Sequence, residues 1–233
     1  MSITNLTSAD CWYKESCGLY GTEACSCSCV RFSQVKYLIQ NSGLPRRLQF
    51  PVPLEPVEKD LDAFYRLQDI KNNVIDFVSD GNNLYIFSNN FGNGKTTWSA
   101  KILLKYFDQV WSCNGYRIRG LFVPVTEFLV ELKQNITLKD SDVYEAYNRL
   151  KSVDLVVWDD IGVTGLSPMD LETLYALINH RIQSGLSNIF TGNLTEQELE
   201  NTLGPRLKSR IWNASECIEF VGEDRRHGSI ANN

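Results

Sequence analysis

The decapeptide Ser88-Asn-Asn-Phe-Gly-Asn-Gly-Lys-Thr-Thr97 constrains this chain more than any other stretch. It is preceded by Asn83-Leu-Tyr-Ile-Phe-Ser88, an apolar run of strand length and composition. It is followed by Trp98 to Phe107, where apolar residues recur at helical spacing. A strand, a Gly-rich turn, Lys-Thr and a helix together form the context of a P-loop. In such a turn the backbone N–H groups of Asn89, Asn90, Phe91, Gly92, Asn93 and Gly94 converge on phosphate oxygens, and the helix N-terminus adds positive potential. Lys95 is expected to reach the β- and γ-phosphates of ATP, and Thr96, followed by Thr97, to ligate Mg²⁺. The first Gly of the pattern is replaced by Asn89. Asn enters left-handed backbone more readily than most residues, so the turn is expected to survive the exchange.

A second feature supports the first. In Asp154-Leu-Val-Val-Trp-Asp-Asp-Ile161 a continuous apolar run reads as a buried parallel strand, with two carboxylates at its carboxyl end. An open α/β sheet places its ligand site there. Asp159 is expected to hold Mg²⁺, directly or through water, and Asp160 to orient and polarise the attacking water. The rest of the chain alternates strands and helices from Asp60 onward, predicting a three-layered α/β domain with a parallel sheet. Residues 60–78 read as one helix, and 121–125 as a strand whose Pro124 puts it at a sheet edge. Helices follow at 127–133 and 144–150. Ser167-Pro-Met-Asp170 opens another with a capping Ser and Pro at its first position, its buried face given by Leu171, Leu174, Tyr175, Ile178 and Ile182. A strand over 188–193, a capping box at Thr195-Glu-Gln-Glu198 and a strand over 217–221 complete the pattern.

The first part of the chain is different in kind. Five of the seven cysteines, Cys11, Cys17, Cys25, Cys27 and Cys29, fall within nineteen residues. No basic and apolar leader precedes them and no apolar run is long enough to span a bilayer, so a cytoplasmic, reducing setting without a membrane partner is expected. There such thiolates are metal ligands rather than disulfides. Zn²⁺ binding would supply the folding energy that so short a segment lacks. Four thiolates suffice: Cys11, Cys17 and Cys29, with the fourth from Cys25 or Cys27. An iron–sulfur cluster is the lesser alternative. Cys113 and Cys217 stand apart and read as ordinary buried residues. A short amphipathic helix over 30–40 comes next, and residues 44–56 carry four prolines. We therefore expect a Cys-rich unit over 1–50, a linker over 51–59 and an ATPase domain over 60–233. The net charge of -5 speaks against a chain-wide nucleic-acid surface. Lys101, Lys105, Arg117 and Arg119 are candidates for a local one, with ordinary solubilising charge as the competing explanation.

Taken in order, these motifs resemble a known family. The P-loop, the Asp159-Asp160 strand, Phe190-Thr-Gly-Asn193 with Leu194, Gly204-Pro-Arg-Leu-Lys-Ser-Arg210 and Gly222-Glu-Asp-Arg-Arg226 follow the sequence of the AAA+ helicase-loader ATPases of the DnaC/DnaI type. The resemblance covers about residues 60–227. The Cys-rich start, with Cys29-Val-Arg-Phe32 and Ser42-Gly-Leu-Pro45, is similar to the short loaders of phages of low-GC Gram-positive hosts. The resemblance implies Asn193 as sensor 1 and Arg210 as an arginine finger reaching a neighbouring subunit, with Arg206 as a second basic position. It implies Arg226, or the adjacent Arg225, as the sensor-2 arginine. It implies ATP-driven loading of a hexameric replicative helicase onto single-stranded DNA, self-assembly around ATP, and a metal-bearing N-terminal unit that grips the helicase. A transposition-regulating ATPase of the IstB type shares the motifs but usually lacks the metal unit. An adaptor that sequesters a host replication protein would not need the intact Lys95, Asp159, Asp160, Asn193 and Arg210.

Overall fold

The computed structural model describes residues 17, 20–22, 29–50, 53–112, 116–138, 141–162 and 165–222. Five strands, β1 (Asn83–Phe87), β2 (Gly120–Pro124), β3 (Leu155–Asp159), β4 (Ser187–Gly192) and β5 (Glu216–Glu219), form one sheet in the order β2-β3-β4-β1-β5. All four pairings are parallel. β2 lies at an edge, as Pro124 requires, and its outer side is covered by the Ser42 carbonyl, which accepts from the Phe122 N–H at 2.6 Å.

The period-2 geometry of strands sorts the core into two halves. Leu84, Ile86, Phe122, Leu155, Val157, Ile189 and Ile218 face one side. There they meet α1 (Val30–Gln40), α2 (Leu61–Asn72), α3 (Val74–Ser79) and α4 (Lys95–Val110). Tyr85, Phe87, Val123, Val156, Trp158 and Phe190 face the other. Against them pack α5 (Val125–Leu138), α6 (Ser141–Ser152), α7 (Pro168–Gln183) and α8 (Glu196–Ile211). The α/β, three-layered expectation holds. Among the described residues no helix is long and apolar enough to cross a membrane.

Two helices are interrupted, the first of them against the sequence reading. The single helix expected over 60–78 is broken at Asn73, whose φ of -103° and ψ of 29° are not helical. The Asn73 side-chain amide donates to the Asp69 carbonyl at 3.1 Å and to the Asp69 carboxylate at 3.0 Å, competing with the helical ladder at a carbonyl that also accepts the Asn73 N–H at 2.9 Å. Likewise α8 changes direction at Gly204, where φ 81° and ψ 164° belong to a region only glycine enters easily. Pro205 then starts the second segment, a position where its missing N–H costs nothing.

Residues 30–48 pack as part of the body. Val35, Leu38, Ile39, Leu44 and Leu48 are buried in the same core as α2 and α4, and Arg31 pairs with Asp108 of α4 at 2.5 Å. The packing therefore does not change at residue 50, where the sequence reading set its boundary. The prolines of 44–56 stop a helix without stopping burial.

On the other face, one charged side chain is fully buried. Arg181 of α7 donates to the carbonyls of Leu150 (2.6 Å), Val153 (2.9 Å) and Ser187 (2.6 Å) and to the Asn188 side chain (2.7 Å). Asn188 also accepts from the Trp158 indole at 3.0 Å and donates to the Asn83 side chain at 2.8 Å. The guanidinium thereby ties the end of α6 and the starts of β3 and β4 into one network. The buried face of α7 is accordingly Leu174, Leu177, Ile178 and Arg181, with Leu171, Tyr175 and Ile182 only partly covered.

Candidate functional site

The carboxyl ends of β1, β3 and β4 open into a cavity of about 570 Å³. Its lining includes Phe91 to Thr97 of the turn, Asp159 and Asp160 after β3, and Thr191 and Asn193 at the end of β4. The sequence motifs, far apart in the chain, thus share one concavity.

The turn is held by Ser88. Its backbone N–H bonds the Gly192 carbonyl (3.3 Å), and its buried hydroxyl accepts from the Asn90 N–H (3.0 Å) and the Asn93 amide (2.5 Å). Gly92 (φ 72°) and Gly94 (φ 98°) supply the left-handed backbone. Asn89 does not: among the described residues Asp160 alone has a positive φ without being glycine. The exchange of Gly for Asn is tolerated because the position needs no left-handed geometry, not because Asn adopts it. Lys95 starts α4, nearly buried, and donates to the Asn90 carbonyl (2.9 Å) and the Asn93 side chain (3.2 Å). Its ammonium is thus held inside the turn.

Asp159 accepts from the Thr191 hydroxyl at 2.7 Å, with the Thr96 hydroxyl beside it. Burial raises its pKa above the ordinary carboxylate value, the Thr191 and Thr96 bonds and the positive charge of Arg47 oppose this, and the neighbouring Asp160 charge adds to it. A cation at this carboxylate would relieve the desolvation. Asp160 follows with φ 57°, at a cost of about 1 kcal/mol for a non-glycine residue. Its backbone N–H bonds the same Thr191 hydroxyl at 2.9 Å. That turn separates the two carboxylates: Asp159 stays with Thr96, while Asp160 meets the Asn193 amide at 3.4 Å. Asn193 Oδ1 is buried and without a partner among the described residues. Gly192 makes the approach possible, since a Cβ there would lie 2.7 Å from both the Ile161 carbonyl and the Tyr85 hydroxyl.

Thr191, which fixes both carboxylates, lies inside the Phe190-Thr-Gly-Asn193 motif, although the sequence reading gave it no role of its own. Two further lining residues, Arg47 and Leu48, come from the proline-bearing segment read as a boundary.

Arg210 lies elsewhere. Its Nε donates to Asn179 of α7 at 2.8 Å, and Arg206 stacks on the Tyr175 ring at 3.9 Å. Neither lines the chain's own cavity. Arg225 and Arg226 lie outside the described residues. The segment that leads to them is fixed, however: Asp60 accepts from the N–H groups of Val221 (2.8 Å) and Gly222 (3.0 Å), and Asn90 donates to the Gly222 carbonyl (3.1 Å). Of the four candidate nucleic-acid cations, Arg119 is committed internally, paired with Asp154 and bonded to the Tyr106 hydroxyl. Lys105 is 3.7 Å from Asp108, Lys101 lies over the Trp98 ring, and Arg117 is exposed.

Cys11, Cys25 and Cys27 lie outside the described residues. Cys17 is half-buried, and Cys29 caps α1, its sulfur accepting from the Phe32 N–H at 3.3 Å while remaining exposed. No group of three metal-ligating side chains forms among the described residues. Cys217 is half-buried, and burial pushes its thiol up to about 11, as suits an inert position.

No family model matches the chain. It is 29% identical over 160 residues to the replicative helicase loader DnaI of Bacillus subtilis, an overlap of 63% of this chain and 48% of that protein. It is 27% identical over 130 residues to the replicative helicase loader DnaC of Escherichia coli, 54% of this chain and 49% of that one. The chain thus spans about half the length of the curated relatives it matches. A crystal structure of DnaI superposes with a TM-score of 0.62 at 22% identity, over 81% of this chain and 99% of that one, which shows a shared fold.

Proposed function

We propose that this chain is an ATP-hydrolysing loader that places a hexameric replicative helicase on single-stranded DNA at the initiation of replication. The similarity to DnaI and DnaC supports the class of activity. The observation that carries the reading is the convergence of Lys95, Thr96, Asp159, Asp160 and Asn193 on one cavity. They fit a magnesium nucleotide: a half-buried carboxylate whose burial disfavours its charge, a hydroxyl beside it and an unpartnered amide oxygen.

Bound Mg²⁺–ATP would supply the scissile phosphoanhydride and the charge that neutralises it. Of residues 89–94, those that line the cavity, Phe91 to Gly94, would cradle the phosphates with backbone N–H groups, the Asn90 N–H being taken by Ser88, and Lys95 would turn from Asn90 and Asn93 towards them. Thr96 and Asp159 hold the metal side. Asp160 orients and polarises water, and Asn193 fixes that carboxylate through the existing bond. Arg210 serves the neighbouring subunit of an ATP-dependent assembly, and Arg226 the chain's own nucleotide. In Asp160→Asn, shape is kept and charge is lost. That variant is expected to bind ATP as wild type and to hydrolyse it roughly 10²–10⁴-fold more slowly, read as phosphate release in single turnovers. Release at the wild-type rate would reassign the base.

We assign the helicase grip to a Zn²⁺ unit formed by four of Cys11, Cys17, Cys25, Cys27 and Cys29, with the division from the ATPase body at about residue 29 and not at 50. Supporting this, Cys29 leads directly into a helix buried in the body. The untagged protein is expected to carry about one Zn²⁺ per chain, because a four-thiolate site closes without outside ligands. Cys29→Ser is expected to lose helicase binding and keep ATP binding. Metal-free protein by elemental analysis, or a Cys29→Ser chain that still captures the helicase, contradicts the assignment. Capture of a transposase instead of a replicative helicase would favour the transposition reading.

A further inference from the structure

The cavity holds one cation that none of the motifs contains. Arg47 sits in a short helical turn, Arg46–Leu48, ahead of the first α/β unit. Its backbone is fixed from three sides. Leu44 and Leu48 are buried in the core, the Ser42 carbonyl is bonded to β2, and the Gln49 amide donates back to the Leu44 carbonyl at 2.8 Å. The side chain is exposed and forms no hydrogen bond or ion pair among the described residues. It lines the same cavity as Lys95, Thr96, Asp159, Asp160 and Asn193, close enough to Asp159 for its charge to favour the ionised carboxylate. A fixed backbone, an unpaired guanidinium and an acid-lined cavity describe a side chain awaiting an anion.

We propose that Arg47 is a phosphate-contacting residue that reads the terminal phosphate of the nucleoside triphosphate. The inference rests on the nucleotide reading of this cavity. Lys95 approaches the phosphates from within the turn, whereas Arg47 lies on the side of the Asp159 carboxylate, where a P-loop places its metal and the terminal phosphate. Guanidinium groups suit phosphate because their planar fork makes two charge-assisted bonds at once. A contact on that side distinguishes triphosphate from diphosphate, because the diphosphate lacks the group it would touch.

The test is equilibrium binding of fluorescent ATP and ADP analogues to the full chain carrying Arg47→Ala, Arg47→Lys or Arg46→Ala. Arg47→Ala is expected to weaken the triphosphate roughly 10-fold or more and the diphosphate less than about 3-fold. Arg47→Lys should recover part of the difference, and the exposed neighbour Arg46→Ala should change neither. Equal loss for both nucleotides, or no loss, overturns the assignment. Thermal melting of each variant separates a binding defect from unfolding. If the wild-type chain binds neither nucleotide, the reading of the cavity itself fails. If it binds both and Arg47→Ala is silent, only the role of Arg47 does.

Discussion

Arg210→Ala protein is expected to bind ATP with near wild-type affinity and to hydrolyse it roughly 10³–10⁵-fold more slowly. Arg210 lies outside its own cavity, held by Asn179 through Nε, so its removal leaves the nucleotide's cis contacts in place. A finger supplied by a neighbour stabilises charge that develops only in the transition state. Lys95→Ala should fail in the opposite way, losing the ammonium that meets the phosphates and with it binding. A mixture of the two inactive proteins should therefore regain activity, since an intact Arg210 on one chain can face an intact Lys95 site on the next. Recovery is measured as steady-state phosphate release against mixing ratio. If the chains co-assemble and the mixture stays inactive, Arg210 is not a trans-acting finger, and Arg206 becomes the residue to substitute.

The second large effect concerns stability. Arg181→Met keeps the aliphatic volume and removes all the donors, stranding the carbonyls of Leu150, Val153 and Ser187 and one lone pair of Asn188. Each buried acceptor left unsatisfied costs about 1–3 kcal/mol, part of it recovered by relaxation. The expected loss is about 3–5 kcal/mol, which for a chain of this size lowers the melting temperature by on the order of 10 °C. Arg181→Lys should recover little, because one ammonium cannot span acceptors set out for a planar fork. Chemical denaturation showing a loss under about 1 kcal/mol would mean that the network is not what joins α6 to the sheet.

The sheet was readable because its signals are local. Leu84 to Phe87, Leu155 to Trp158 and Ile189 to Phe190 are continuous apolar runs, and the last two lead straight into residues that line the cavity. Pro124 announced its own place at the edge, and Ser167 caps α7 as expected, its N–H bonding the Asp170 carboxylate at 2.8 Å. Asp170 had a further use that spacing does not show. It is buried and accepts from Lys133 at 2.7 Å; burial raises its pKa, and the bonds from Lys133 and Ser167 outweigh that and hold it below the ordinary value. Arg181 was unreadable for a related reason. A charged residue near a helix end reads as solvated until the carbonyls around it are known. Arg47 and the helix before it were misplaced because prolines mark where a helix stops, whereas burial of Leu44 and Leu48 depends on contacts made far along the chain. Asn73 broke the helix read over 60–78 through local side-chain chemistry that periodicity ignores.

The central claim is that ATP turnover in this cavity drives a helicase onto DNA. It is tested by incubating the hexameric replicative helicase with closed-circular single-stranded DNA and this protein, then counting helicase retained on the circles after a high-salt wash. A closed circle has no end to thread, so retention requires that the ring be opened and released. The wild-type chain with ATP is expected to load helicase, Lys95→Ala to load none, and Asp160→Asn to bind the helicase yet leave it unreleased. Equal loading with wild-type and Lys95→Ala protein, or with ATP omitted, would contradict the account.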